Sequence, residues 1–301
     1  MRNGALLAAQ ADKLNIKYGR DVLMSGYTTF QIGGPAALMF WPETKEGLQS
    51  ILKICTEIEC KTFVLGNGSN LLVSDKGLDA AVICLTRMNR FALSGGSVID
   101  CQAGANLFSL CRFAADNGLS GLEFAYGIPG TVGGAVYMNA GAYECEIESA
   151  VAECSAMDTC GNSLTHDRSQ LNFEYRTSTF MTIGEIITDV VLRLRPGSRE
   201  TIRAKMESFY SRRKESQPLE YPSAGSVFKR PQNHYAGKLV EDCGLKGMKV
   251  GGAQVSEKHA GFIVNTGAAT CEDVLKLIAI IQQEVFTQTG IKLETEIKHL
   301  A

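Results

Sequence analysis

The chain has 301 residues, of which 45% are hydrophobic and 21% are charged, and its formal net charge is −2. This is an ordinary globular composition, without the excess of basic charge that nucleic acid or a membrane surface attracts. No apolar stretch approaches the about 20 residues of a membrane span, so we expect no such span and a cytoplasmic location. The ten cysteines include no CxxC pair, and the four histidines keep no ligand spacing with them, which predicts reduced thiols and no metal site.

The first predicted elements are a helical lead-in over residues 1–24 and a small lobe over about residues 25–93. The run ALLAAQA in the lead-in is too short for a convincing signal peptide and favours an amphipathic helix. The lobe combines strands with one helix whose apolar residues recur at helical spacing. Its predicted elements are strands at 36–41, 62–65 and 80–85 and a helix at 44–59.

A second lobe is predicted over about residues 94–196, closed by the boundary signal Pro196–Gly197. It begins with a strand at Val98–Gln102 and a helix that Asn106 can cap. Strands then dominate from about Val151 to Arg195. We expect the two lobes to form one domain over residues 25–196.

The last segment, residues 197–301, is predicted to be a smaller domain of helices and strands. Helices are expected at Ile202–Lys214, at Ala236–Cys243 and from a capping box at Thr270 to Gly290. The chain ends with IKLETEIK, which reads as a strand and places Glu294 and Glu296 on one face. The whole chain is therefore predicted to be an α+β protein.

Three glycine-rich segments without any acidic residue stand out, at Ile32–Pro35, Leu65–Val73 and Gly127–Gly141. The longest, GIPGTVGGAVYMNAG, is predicted to be neither a helix nor a central strand, because glycine and proline disfavour both. Such segments let backbone N–H groups approach an anion closely, although tight turns in a β-rich domain are the alternative. Neither of the longer segments carries a Rossmann fingerprint or a Walker lysine. Their number favours a long anionic ligand, such as a dinucleotide held without a Rossmann fold.

Six motifs in order along the chain resemble segments of the UDP-N-acetylenolpyruvoylglucosamine reductase family. The segments similar to its flavin-binding motifs are TTFQIGGPA from Thr28, LGNGSNLLVSDKG from Leu65 and GIPGTVGGAVYMNAGAY from Gly127. The segments similar to its catalytic motifs are YRTS from Tyr175, AGSVFKRP from Ala224 and LETEI from Leu293. The resemblance extends from about Met24 to the C terminus, and six ordered motifs are far more specific than any one of them.

The resemblance implies a two-lobed FAD-binding domain of the PCMH type, followed by a substrate-binding domain. It also implies non-covalent FAD, NADPH as co-substrate, and reduction of UDP-N-acetylglucosamine enolpyruvate to UDP-N-acetylmuramate in peptidoglycan precursor synthesis. The residues that it assigns to the cofactor are Ile32, Gly33, Gly34, Pro35, Leu65, Gly66, Asn67, Gly68, Ser69, Asn70, Leu71, Gly127, Ile128, Pro129, Gly130, Thr131, Gly133, Gly134, Ala135 and Asn139.

Three residues are implied to be catalytic by the same resemblance. Ser226 would donate a proton to the substrate, and Arg176 and Glu296 would stabilise an enolate-like intermediate. From the residues alone, a loop serine such as Ser226 is usually a turn residue, and an arginine such as Arg176 is usually a solvated edge charge or half of an ion pair. Periodicity cannot choose between Glu296 and Glu294 on the predicted strand, whereas the family pattern L-E-x-E chooses Glu296.

The substrate is implied to contact Tyr175, Lys214, Lys229 and Arg230, because a UDP-sugar brings two phosphates and a carboxylate. Arg230 departs from the asparagine of one branch of the family, and Glu144 stands where many relatives carry glycine, so the roles of both stay open. The short interval of about fifty residues between the YRTS and AGSVFKRP motifs predicts the compact branch, without a tyrosine-bearing substrate loop.

Two other functions are compatible with the glycine-rich segments. A flavin oxidase of the same fold, acting on an alcohol or another sugar, would need a base in place of a proton-donating serine. Such enzymes often link the flavin to a histidine or cysteine in the first lobe, and this chain has no histidine before His166. A nucleotide-sensing module without redox chemistry would be colourless, whereas a flavoprotein is yellow.

Overall fold

The computed structural model describes residues 4–301 and confirms the predicted α+β class. The first three residues of the predicted lead-in lie outside the described residues. The helices are α1 (Gly4–Lys13), α2 (Lys45–Glu57), α3 (Leu107–Asp116), α4 (Val132–Tyr137), α5 (Phe180–Ile183), α6 (Arg199–Ser216), α7 (Ala236–Asp242) and α8 (Cys271–Thr289). The strands are β1 (Lys17–Leu23), β2 (Pro35–Trp41), β3 (Thr62–Leu65), β4 (Leu71–Val73), β5 (Leu78–Cys84), β6 (Phe91–Gly95), β7 (Val98–Gln102), β8 (Leu119–Ser120), β9 (Gly141–Ala142), β10 (Cys145–Glu146), β11 (Val151–Met157), β12 (Ser163–Asp167), β13 (Ile186–Arg193), β14 (Arg195–Pro196), β15 (Ser223–Ser226), β16 (Lys249–Val250), β17 (Ala253–Val255), β18 (Phe262–Asn265) and β19 (Lys298–Leu300).

The described chain divides into two units. The first contains residues 4–20, 37–67 and 79–211, and the second contains residues 21–36, 68–78 and 212–301. The segments 21–36 and 68–78, which surround two of the glycine-rich segments, thus pack with the C-terminal part of the chain. The domain boundaries read from the sequence remain a prediction.

The first unit is built on two sheets. One has the strand order β1-β2-β5-β3, in which β3 and β5 run parallel, and the other has the order β12-β11-β13-β7-β6 with antiparallel neighbours. Helix α2 buries Leu48, Ile51, Leu52 and Cys55, which is the apolar stripe expected from its sequence. Burial of such side chains stabilises the unit by about 1.5–3 kcal/mol for each large aliphatic residue.

The second unit contains the antiparallel sheet β15-β18-β17-β16 and the long helix α8. Val274, Leu277, Ile281 and Val285 form the buried side of α8. The helix begins at the capping box of Thr270 and Asp273, and Gly290 ends it at a φ of 71°. A parallel pair of β19 with β4 ties the C terminus to the segment after the second glycine-rich turn.

Two predictions of local structure are wrong. The segment Gly127–Gly141 does contain a helix, the six-residue α4. Thr131 caps it by accepting a hydrogen bond from the N–H of Gly134, and a Cβ on Gly133 would lie 2.7 Å from the Cβ of Ala103. Glycine is therefore used here for close packing of a helix, and this packing outweighs its low helix propensity.

The C-terminal strand is also shorter than predicted. Strand β19 covers only Lys298–Leu300, and the segment before it pairs with the chain after β15 through an isolated bridge of Phe228 with Thr295. Leu293 and Ile297 are buried at a spacing of four, and the intervening Thr295 is exposed, so the strict alternation of a strand is broken.

Candidate functional site

The second and third glycine-rich segments meet in the first unit. The side-chain amide of Asn67 donates a hydrogen bond of 2.7 Å to the carbonyl oxygen of Pro129. A Cβ on Gly66 would lie 2.5 Å from the hydroxyl oxygen of Thr131, so only glycine allows this approach. Leu65, at the end of β3, is buried and fixes the start of the turn. Residues from two separate predicted cofactor motifs are thus neighbours.

The first and second segments meet in the second unit. The carbonyl oxygen of Gly68 accepts a hydrogen bond of 3.3 Å from the N–H of Thr29, and a Cβ on Gly68 would collide with the carbonyl oxygen of Tyr27. The N–H of Gly34 donates to the carbonyl oxygen of Ser74 at 2.9 Å. Ile32 is buried, and its N–H donates to the hydroxyl of Thr28 at 3.3 Å. The glycines allow the chain to double back on itself here.

The turn at Gly68 and Ser69 fits a phosphate group. Among residues 4–301, no protein group accepts a hydrogen bond from the backbone N–H of Gly68 or of Ser69. Gly68 is buried and has a φ of 62°, a conformation in which successive N–H groups can form an anion-binding concavity. The three segments contain no carboxylate that would repel an anion. The donor set therefore suits the pyrophosphate of a dinucleotide such as FAD.

Tyr137, at the end of α4, keeps this neutral character. A phenol is uncharged at neutral pH, and partial burial raises the pKa of this one further. Of the other predicted cofactor residues of this segment, Gly133, Gly134 and Ala135 lie on α4, Ile128 and Gly130 precede it, and Asn139 follows it. Gly127 has a φ of 95°, a conformation that favours glycine.

Ser226 lies at a bulge in the second unit. The pairing of β15 with β18 shifts register between Ser223 and Ser226, and Gly225 has a φ of 79° with open space where a Cβ would lie. The backbone conformation, not crowding, therefore requires glycine before the serine. Ser226 is half-buried, and within the described chain no protein group forms a hydrogen bond with its hydroxyl.

The segment with the two glutamates runs beside this serine. The N–H of Glu296 donates to the carbonyl oxygen of Val227 at 2.7 Å, and the N–H of Lys229 donates to the carbonyl oxygen of Glu294 at 2.8 Å. The backbone of Glu296 is also held from the other side, because the amide of Asn70 donates to its carbonyl oxygen at 3.2 Å. The second unit thus brings the predicted proton donor, the predicted catalytic carboxylate and a predicted cofactor residue into one neighbourhood.

The predicted substrate residues of the second unit have different surroundings. Lys229 forms an ion pair with Glu294, and Arg230 lies 4.0 Å above the ring of Tyr235. Lys214 is exposed near the end of α6, and the ammonium of Lys258 donates to its carbonyl oxygen at 2.6 Å. A cation at the C-terminal end of a helix is favourable for the helix dipole.

Arg176 lies on a tight turn in the first unit. Glu174 and Thr177 exchange backbone hydrogen bonds of 3.1 and 3.0 Å, so Tyr175 and Arg176 form the tip of the turn. Arg176 has a φ of 56°, and its guanidinium lies 4.9 Å from the ring of Tyr175. Its side chain donates hydrogen bonds to the carboxylate of Glu146 at 3.3 Å, to the carbonyl oxygen of Gly141 at 3.0 Å and to that of Asn139 at 3.5 Å.

Asn139 is fully buried, and its side chain is engaged with the protein. The amide donates 3.0 Å hydrogen bonds both to the carboxylate of Glu146 and to the carbonyl oxygen of Glu174, and its oxygen accepts one from the N–H of Glu148. A direct role for Asn139 in cofactor binding stays a prediction. What the structure assigns to its side chain is the organisation of the loops around Arg176.

Sequence reasoning missed Glu146. Its position opposite Gly141 follows from the hairpin β9–β10, which turns at Tyr143 and Glu144 with φ values of 53° and 64°. Two-residue hairpin turns of this kind are usually signalled by Asn-Gly or Asp-Gly. The sequence Tyr-Glu carries no such signal, so the hairpin was not predictable from local residue types.

Two family models match the chain. Residues 217–300 match the C-terminal domain of UDP-N-acetylenolpyruvoylglucosamine reductase, and residues 36–165 match an FAD-binding domain. No helix of the described residues is long and apolar enough to cross a membrane.

Curated relatives and a solved structure agree with these matches. The UDP-N-acetylenolpyruvoylglucosamine reductase of Clostridium novyi is 41% identical over 287 residues, covering 95% of this chain and 92% of its own. That of Caldicellulosiruptor bescii is 45% identical, covering 95% and 91%. The crystal structure of the reductase from Thermus caldophilus, MurB, has a TM-score of 0.82 and 38% identity, covering 95% of this chain and 99% of its own. The resemblance carried by the six sequence motifs is confirmed.

Proposed function

The chain belongs to the UDP-N-acetylenolpyruvoylglucosamine reductase family, and on that premise we propose that it reduces UDP-N-acetylglucosamine enolpyruvate to UDP-N-acetylmuramate with FAD and NADPH. The observation that carries the proposal is the pairing of the Ser226 segment with the Glu296 segment. This pairing lies inside the part of the chain that matches the family's C-terminal domain. The reaction adds a hydride to C3 and a proton to C2 of the enolpyruvyl double bond.

FAD would be held by the three glycine-rich segments, with the free N–H groups of Gly68 and Ser69 as donors to its pyrophosphate. FAD, when bound, accepts a hydride from NADPH and delivers one to C3 of the substrate. The chain contributes no cysteine or histidine in a flavin-linking motif, so we propose that the cofactor is bound without a covalent bond.

Ser226 is proposed to supply the proton to C2. Its hydroxyl makes no hydrogen bond with any described protein group, so its proton can be directed to a substrate atom. The bulge at Gly225 fixes the backbone from which the hydroxyl projects. A positioned acid of this kind typically accelerates the reaction by about 10²–10⁴-fold.

Arg176 and Glu296 are proposed to stabilise the negative charge that develops on the substrate carboxylate when the hydride reaches C3. A guanidinium neutralises this charge directly, and its planar set of donors suits a carboxylate. A protonated Glu296 can donate a hydrogen bond to the same oxygens. Each donor placed in advance at a developing oxyanion typically raises the rate by about 10²–10³-fold.

The diphosphate of the substrate is proposed to contact Lys214, Lys229 and Arg230, and Tyr175 to contact the substrate beside Arg176. Lys214 is exposed, and the 3.4 Å ion pair of Lys229 with Glu294 is at the surface and weak enough to be exchanged. NADPH as reductant and a cytoplasmic location belong to the same proposal. The cysteines of the described residues form no disulfide, which fits a reducing compartment.

The test is an anaerobic two-step experiment on the purified holoprotein. NADPH should bleach the flavin absorbance, and UDP-N-acetylglucosamine enolpyruvate added afterwards should restore it with formation of UDP-N-acetylmuramate. UDP-N-acetylglucosamine, which lacks the double bond, is the matched control and should leave the flavin bleached. Flavin that is bleached by an alcohol or a sugar and reoxidised only by oxygen would instead identify an oxidase, and a colourless protein that gains no flavin would identify a nucleotide sensor.

A further inference from the structure

The conformation of Arg176 is one that the chain adopts only under constraint. A β-turn with a left-handed residue at its third position normally carries glycine or asparagine there. Arginine at a φ of 56° costs on the order of 1 kcal/mol, and such strain persists only where the surroundings determine it. The surroundings here are Asn139, Gly141 and Glu146, all from the end of the third glycine-rich segment and the hairpin after it.

These groups form a closed circuit of hydrogen bonds. Glu146 binds the Arg176 guanidinium with one carboxylate oxygen at 3.3 Å and accepts from the Asn139 amide with the other at 3.0 Å. The amide of Asn139 also donates a hydrogen bond of 3.0 Å to the carbonyl oxygen of Glu174. Glu174 is the first residue of the turn that carries Arg176. The side chain and the backbone of the arginine are therefore tied to the same buried amide.

Gly141 completes the arrangement by leaving room for it. A Cβ on Gly141 would lie 2.6 Å from the Cγ of Glu146 and 3.2 Å from a terminal nitrogen of Arg176. Its carbonyl oxygen accepts the 3.0 Å hydrogen bond from the other terminal nitrogen. The φ of Gly141 is not in the left-handed region, so what requires glycine here is the close approach of these two side chains and of the carbonyl oxygen of Cys145, which would lie 2.7 Å from a Cβ.

We propose that Glu146, anchored by Asn139, is a positioning residue that holds the guanidinium of Arg176 in the orientation used on the substrate carboxylate. The proposal rests on the function proposed above. It assigns Glu146 no contact with the reacting atoms. Its carboxylate holds one terminal nitrogen of the guanidinium, while the carbonyl oxygen of Gly141 holds the other, so Glu146 acts only through Arg176.

The test uses Glu146→Gln, which keeps the shape of the side chain but places an amide donor against the donors of Asn139 or Arg176. Glu148→Gln is the matched control, because Glu148 lies two residues away and pairs with Arg168 at 3.3 Å instead. In single-turnover experiments, bleaching of the flavin by NADPH should stay within about two-fold of wild type in both variants. Reoxidation by the enolpyruvyl substrate should slow in Glu146→Gln alone, by ~10–100-fold, as expected for a misplaced catalytic group.

Two further variants separate positioning from a structural role. Glu146→Asp retains the charge and should recover part of the loss. In an Arg176→Ala background, Glu146→Gln should have no additional effect on reoxidation, because the residue through which it acts is gone. Flavin content and thermal midpoint report on folding and should remain close to wild type.

The inference is wrong if Glu146→Gln reoxidises at the wild-type rate, if it slows both half-reactions equally, or if its effect persists in full without Arg176. Wild-type protein that is not reoxidised by the enolpyruvyl substrate would instead refute the proposed function. The wild-type measurement therefore distinguishes the two failures.

Discussion

The ammonium of Lys229 lies 3.4 Å from the carboxylate of Glu294. This ion pair distinguishes Glu294 from Glu296, which the sequence pattern alone leaves equivalent. The side chain of Glu294 is 70% exposed, whereas Glu296 is half-buried and its backbone is fixed by Val227 and Asn70. A group held on both sides by backbone contacts is better suited to catalysis than one at the surface.

We therefore predict that Glu296→Gln impairs steady-state turnover by at least ten-fold, and that Glu294→Gln changes it by less than two-fold. The reason is that the amide of Gln at 296 is a weaker hydrogen-bond donor than a carboxylic acid to the charge that develops on the substrate, while the pair at 294 is an exposed one worth at most about 1 kcal/mol. The measurement is kcat for the two variants under the same conditions. Equal and mild effects would mean that both glutamates belong to a solvated surface.

Lys214→Ala is predicted to raise the KM for the UDP-sugar about ten-fold or more, with kcat nearly unchanged. A phosphate contact remote from the reacting carbons contributes the same binding energy to the ground state and the transition state. Lys276→Ala is the control, since Lys276 lies on α8 and pairs with Glu272. An unchanged KM in Lys214→Ala would place the diphosphate elsewhere.

Glu144→Gly is predicted to stabilise the protein by about 0.5–1 kcal/mol, a rise of ~1–2 °C in thermal midpoint. Glu144 has a φ of 64° in the turn of the β9–β10 hairpin, and glycine adopts this conformation without steric cost. Glu144→Ala removes the charge and keeps the strain, so it should not stabilise. A lower midpoint for Glu144→Gly would indicate that the glutamate side chain has a stabilising role.

Acidification is predicted to destabilise the protein through His259. Burial lowers the pKa of this imidazole, with a smaller contribution from the charge of Lys246, and its Nδ1 accepts a hydrogen bond of 3.1 Å from the N–H of Gly261. Since the folded pKa lies below the ordinary value of about 6.5, the unfolded chain binds the proton more readily just below pH 6.5. Stability is therefore present above this value and declines as the pH falls.

Urea unfolding at pH 7.0 and pH 5.5 measures this effect. The loss in free energy of unfolding between the two pH values should be smaller in His259→Gln than in wild type. His234→Gln alters an exposed histidine and should leave the loss unchanged. The same pH dependence in all three proteins would show that other groups cause it.

Local sequence signals were sufficient for the elements whose ends they mark. Thr44, Asn106 and Thr270 each cap the helix that the sequence predicted, by accepting a hydrogen bond from an N–H three residues further on. The C-terminal segment was mispredicted because its alternating pattern describes a strand, whereas its backbone is engaged by the chain around Val227 and by Asn70. Such partners are distant in sequence and leave no local pattern.

The residues of the candidate site show the same difference between local signals and tertiary contacts. Ser226, Arg176 and the glycine-rich segments were named from ordered motifs, which resemble those of a known family. Their neighbours depend on tertiary contacts: Glu146 reaches Arg176 across an interval of thirty residues. No period or turn signal in the sequence links these two positions, so only the folded chain reveals the pair.

If Ser226 supplies the proton to C2, rapid mixing of Ser226→Ala should separate the two half-reactions. Bleaching of the flavin by NADPH needs no serine hydroxyl and should remain within a few-fold of wild type. Reoxidation by UDP-N-acetylglucosamine enolpyruvate should slow by ~10²–10⁴, so that the enzyme stays reduced during turnover, and Ser226→Cys should recover part of the rate. If Ser226→Ala slowed both steps alike, or neither, Ser226 would be a structural residue of the β15 bulge and the proton would come from another group.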